Sequence, residues 1–200
     1  GTDNTVSVLE DGTKTFAASD FGFADATDSG SDVDTLAAVR IAALPTNGTL
    51  KFNGTAITQA QITAGFDVSA TDLADGKLSF SPADNAYGSG YASFTFQVID
   101  SGSTDNGGVV MDASANTITI DVTAVSDAPT GTDNTVSVLE DGTKTFAAAD
   151  FGFADATDAG SDVDTLAAVR IAALPANGTL KFDGTAITQA QINAGFDLSA

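Results

Sequence analysis

Apolar and polar residues alternate through Thr5-Val-Ser-Val-Leu9, the two-residue period of a strand with one buried face. Asp11-Gly12 then supplies a turn, and Thr13–Ala18 reads as a second strand. Leu36–Leu44 reads as a third, stopped by Pro45. Asn47-Gly48 turns the chain into Thr49–Phe52, and Asn53-Gly54 marks another tight turn. Residues 57–74 are polar and weakly patterned, and read as a loop with a short helical turn. Lys77–Phe80 is a strand ended by Pro82, Tyr91–Ile99 alternates along its length, and Thr117–Val125 closes the series. Phe94 and Phe96 share a strand face and are assigned to the core. Seven or eight short strands with Gly, Asn and Pro between them predict an all-β fold, a β-sandwich.

The pattern then starts again. Gly1–Glu10 recurs unchanged as Gly131–Glu140, so the period is 130 residues. Residues 1–70 and 131–200 differ at six positions: Ser19/Ala149, Ser29/Ala159, Thr46/Ala176, Asn53/Asp183, Thr63/Asn193 and Val68/Leu198. We therefore expect a complete repeat over 1–127, a linker over 128–132, and over 133–200 the N-terminal part of a second, near-identical repeat. Near-identical units in tandem touch chiefly their neighbours, and such arrays are long. The second copy has no counterpart of the strands at 77–80, 91–99 and 117–125, so its apolar faces need covering, by a continuing array or by another chain.

Charge narrows the partners. The chain has 27 acidic and 7 basic residues, a net charge of −20, and only Glu10 and Glu140 among the acids are glutamate. Asp favours turns over strand and helix interiors, and it is a compact carboxylate for a hard cation such as calcium. A surface this negative repels phosphate backbones and anionic headgroups, so neither nucleic acid nor direct membrane insertion is expected. No apolar run approaches membrane-spanning length, and any export signal is expected outside these residues. There is no Cys, His or Trp. That removes thiol nucleophiles, His-based triads, the usual zinc sites and the commonest sugar-stacking side chain, so we expect no enzyme and no catalytic residue.

Several segments look familiar as an ordered set: Leu9-Glu-Asp-Gly12, Phe21-Gly-Phe-Ala-Asp25, Leu44-Pro45 with Gly48-Thr-Leu50, Leu78-Ser-Phe-Ser-Pro82, Ser93–Asp100 and Val125-Ser-Asp-Ala-Pro129. Together they resemble the cadherin-like and immunoglobulin-like tandem repeats of giant bacterial surface adhesins, the stalk repeats of RTX and VCBS type. The resemblance covers the 130-residue unit and the whole of the second copy. It implies immunoglobulin-like or cadherin-like β-sandwich repeats in tandem, at the bacterial cell surface or secreted. Their work would be that of a calcium-rigidified spacer in a large adhesin or surface filament. The partners implied are neighbouring repeats of the same chain and other copies of the same protein. The other reading the resemblance carries is a ligand-binding adhesin module for a glycan or a protein. Near-identity of the copies argues for the spacer.

Alternating strand directions divide the loops between two ends of the unit. Glu10, Asp11, Asp84 and Asp127 then fall at one end, and Asp25, Asp28, Asp32, Asp34 and Asp100 at the other. In tandem, the first group meets the second copy's Asp155, Asp158, Asp162 and Asp164. So many carboxylates repel without a counter-ion, and calcium takes six to eight oxygens. By resemblance to cadherin junctions the ligands are Glu10, Asp84, Asp127 and Asp155, with Asp158. The alternative is that these acids are turn-formers in solvated loops, as Asp3, Asp72, Asp75, Asp105 and Asp112 are read to be.

Overall fold

Alternation builds most of the first repeat. In chain order its strands are β1 (Asn4–Leu9), β2 (Lys14–Thr15), β3 (Leu36–Ala43), β4 (Thr49–Phe52), β5 (Thr55–Ala56), β6 (Phe66–Ser69), β7 (Leu78–Ser81), β8 (Gly88–Asp100) and β9 (Asn116–Thr123). Two short helices, α1 (Gln59–Ala64) and α2 (Ala70–Ala74), flank β6. The computed structural model describes residues 1–25, 34–155, 158 and 163–200, and divides into two compact units, Gly1–Val125 and Ser126–Ala200.

In the first unit one sheet has the order β1-β9-β8-β3-β6 and another the order β2-β7-β4-β5. Ala92, Phe94, Phe96 and Val98 of β8 are buried at every second position, with Ile118, Ile120 and Val122 of β9 beside them. Leu50, Leu78 and Phe80 of the second sheet belong to the same core cluster, so both sheets turn an apolar face to one core. Phe16 meets Phe94 edge-on at 5.3 Å between centroids, and Phe21 meets Phe96 at 4.9 Å. These two rings anchor the connection between β2 and β3.

The structure departs from the sequence reading at three places. Thr13–Ala18 is a strand only over Lys14–Thr15, because a 3-10 turn starts at Ala18 and ends on left-handed Gly22 (φ 54°). The stretch 57–74 is not a loop with one helical turn. Thr58 and Gln61 cap α1 reciprocally, and Phe66–Ser69 adds an edge strand beside β3. The strand from Tyr91 begins earlier, at Gly88, and runs on to Asp100. The first and last strands run the same way, so the end of β1 and the exit from β9 lie at one end of the unit, as the division of the loops expects. β1 pairs parallel with β9, Asn4 opposite Ile118 and Leu9 opposite Thr123.

The second unit shows what the same residues do without β7–β9. Its strands are β10 (Ala168–Ile171), β11 (Lys181–Phe182), β12 (Thr185–Ala186) and β13 (Phe196–Ser199), with helix α3 (Gln189–Asn193). β10 pairs with β13 as β3 does with β6, and β11 with β12 as β4 does with β5. Residues 134–139, the counterpart of β1, form no strand. A strand without a ladder partner has little to hold it, and the counterpart of β9 is the partner β1 uses.

Candidate metal centre

The acidic segment after the second 3-10 turn (Ala148–Phe151) brings three carboxylates together. One oxygen each from Asp155, Asp158 and Asp164 lies within 4.8 Å of the others. Local chain geometry fixes two of them, since the Asp164 N–H donates to Asp155 Oδ2 and closes the loop on itself. Thr130 and Ala154 exchange paired backbone hydrogen bonds of 2.8 Å, which hold the start of the unit alongside Asp155. From there the Asp127 N–H donates to Asp158 Oδ1 at 2.7 Å, and Ser126 Oγ bonds Asp164 Oδ2 at 3.1 Å.

The decisive feature is burial. Asp158 is only 7 % exposed, with no basic side chain bonded to it among the described residues. Its Oδ2 and Asp155 Oδ1 are buried oxygens with no hydrogen-bond partner among the described residues. The Asp127 N–H favours the ionised form of Asp158. Burial and the charges of Asp155 and Asp127 outweigh it, and the Asp158 carboxyl is raised above its ordinary 3.8. A shared proton or a cation between two such neighbouring carboxylates would relieve their repulsion. The donors are all oxygen, which suits a hard cation and none of the thiophilic metals. The group fits a metal ion.

The other candidate residues fall as follows. Glu10 is buried in the first unit and accepts a 2.6 Å hydrogen bond from the Val125 N–H, while its own N–H bonds Thr123 O. Asp11 and Asp84 are exposed turn residues of that unit. At the unit's other end Asp34 N–H donates to Asp25 Oδ2 at 2.8 Å, repeating the Asp164–Asp155 closure. Asp100 Oδ1 accepts from Gly102 N–H at 2.8 Å, and a Cβ at Gly102 would come within 2.6 Å of Asp34 Oδ2, so Asp34 and Asp100 flank that glycine. Asp25 and Asp100 line a cavity of about 270 Å³. Asp28, Asp32 and Asp162 lie outside the described residues. Ser126 was not among the sequence candidates. Its position beside Asp127 is the signal that marks it. Comparison of the chain with protein-family models, with curated proteins and with solved structures finds no match.

Proposed function

We propose that the chain is a calcium-binding spacer of a tandem-repeat surface protein, built from immunoglobulin-like or cadherin-like β-sandwich units and without catalytic activity. The observation that carries the metal is the pair of orphaned, buried oxygens on Asp155 and Asp158. The three carboxylates are an all-oxygen donor set suited to a hard cation such as calcium. Asp155 and Asp158 would hold the ion in the interior and Asp164 at the rim. Three side chains leave the remaining positions to water and carbonyls, so the affinity belongs with extracellular calcium modules, on the order of 10⁻⁴–10⁻³ M. A cation at Asp158 would tighten the hold on the Asp127 amide, two residues after the first unit ends, and so shorten the free link between repeats. Secretion fits a metal used at that affinity and the acidic, cysteine-free composition.

The test is a calcium titration of the whole chain followed at the Asp127 amide resonance, with magnesium and sodium chloride alongside. Saturable calcium shifts, lost in Asp158→Asn and kept in Asp105→Asn, are expected. If sodium chloride reproduces the calcium response in full, the acids are only a salt-tolerant surface and the proposal fails.

A further inference from the structure

Strand β4 lies between two Asn-Gly steps, Asn47-Gly48 before it and Asn53-Gly54 after it. Such a step is chemically labile, because a glycine nitrogen has no side chain beside it to hinder attack on the preceding side-chain carbonyl. The two steps are held very differently. Asn47 Nδ2 donates to Tyr91 O at 2.9 Å, and a Cβ at Gly48 would clash with the Phe80 ring and come within 2.8 Å of Ser81 O. Phe80 is fully buried, so that step is packed against the core. Asn53 and Gly54 are both exposed, in left-handed conformations (φ 48° and 77°), and a Cβ at Gly54 would meet nothing within 4 Å. They are the central residues of the turn that sets Phe52 opposite Thr55. The strand this turn leads into, β5, is two residues long and lies at the edge of its sheet beside β4, so the turn opens at little cost. The Asn53 N–H donates to Lys77 O at 2.8 Å, which anchors the residue on the side away from Gly54.

We propose that Asn53 is a site of spontaneous deamidation. The Gly54 nitrogen attacks Asn53 Cγ and gives up its proton, and the side-chain nitrogen leaves as ammonia. The product is a cyclic succinimide. Water then adds to one of its carbonyls and opens the ring, giving aspartate or isoaspartate. Water is the sole co-reactant, and nothing is oxidised or reduced. The second copy shows that the hairpin accepts the first of these products. Asp183 stands where the first copy has Asn53, with φ 49°, Gly184 follows at 76°, and Phe182 faces Thr185 as Phe52 faces Thr55. Deamidation to aspartate therefore gives the first repeat the residue and the charge that the second carries at this tip. Isoaspartate is a different matter. It routes the backbone through the side-chain carbon and lengthens the turn by one atom, so the Phe52↔Thr55 register is lost and β5 comes away from β4.

The experiment is the full chain kept at neutral to mildly alkaline pH in heavy-oxygen water, folded in one arm and unfolded in urea in the other. Both arms are then digested and mapped by mass spectrometry. Each residue that deamidates during the incubation takes one heavy oxygen from the solvent, so earlier changes do not count. In the folded chain Asn53 is expected to deamidate about tenfold faster than Asn47, and in urea the two rates should fall within about threefold of each other. Rates within about threefold in the folded chain, or a faster Asn47, overturn the proposal. So does an Asn53 that reacts in urea and stays intact in the folded chain. A second measurement tests the product. Asn53→Asp should leave the amide resonances of β4 and β5 dispersed, as the Asp183 hairpin implies. Their collapse would show that the hairpin does not accept aspartate, and would overturn that part of the proposal.

Discussion

Phe16 and Phe146 sit in the same hexapeptide, Thr-Lys-Thr-Phe-Ala-Ala, yet Phe16 is 0 % exposed and Phe146 is 44 % exposed. Their energetic weights should differ accordingly. Phe16→Ala removes a ring packed on Phe21 and Phe94 and should cost about 3–5 kcal/mol in denaturant unfolding. Phe146→Ala should cost under about 1 kcal/mol. Asp158 carries the other residue-scale prediction, and its sign is fixed by its environment. An acid with a raised folded-state pKa penalises folding above that value, and the penalty lifts as pH falls towards 3.8. Asp72, held down by Lys77, and Asp197, held down by Arg170, act in the opposite sense. So do Asp150, held by the Ala147 N–H and Lys144, and Asp112, down to about 2 beside the Gly1 amine. Their stabilisation is intact above 3.8 and is lost as pH falls through their lowered values. In chelator, then, the melting temperature of the second unit should rise on acidification from neutrality and turn over below about pH 4. Asp158→Asn should raise it at pH 7 in chelator and lower it in calcium. The same sign in both conditions would show that no cation uses this carboxylate.

Among elements, the two copies separate what a short segment encodes by itself from what needs a distant partner. The Thr58–Gln61 capping box recurs as Thr188–Gln191, and the turn ending on Gly22 (φ 54°) recurs on Gly152 (φ 55°). The pairings β3·β6 and β4·β5 recur as well, because their partners are close in sequence. Strand β1, whose partner in the first unit lies more than a hundred residues away, does not recur over 134–139. Amide exchange in the first unit should protect Val6 and Val8 through their ladder with β9; near-random rates there would contradict the parallel pair. The same distinction marks the limits of the sequence reading. Alternation in Tyr91–Ile99 and the Asn-Gly turns were legible because the signal is local. Phe66-Asp-Val-Ser69 alternates too, but four residues between helix-like segments carry too little pattern to stand out. The parallel β1·β9 pair left no mark in either strand. Of the acids, the cluster was visible as composition. That Asp158 and not Asp164 is the buried member follows from where the segment around Thr130 and Ala154 lies, which no spacing reveals.

On the scale of the whole chain, entry and exit of the first unit are set by its parallel pair. The chain enters β1 at Asn4 and leaves β9 at Thr123, at opposite ends of neighbouring strands. Tension applied through the two ends pulls these strands past each other along their length, so the whole ladder from Asn4↔Ile118 to Leu9↔Thr123 is loaded at once and cannot be unzipped rung by rung. A tether under flow is limited by how fast its links yield, a rate and not an equilibrium. Single-molecule pulling on this unit should show a high rupture force that drops when Val6→Pro breaks the ladder, and pulling across β8 and β9 from the Gly88 end should open it at a much lower force. An equal force in both directions would mean that the β1·β9 shear contact is not what resists.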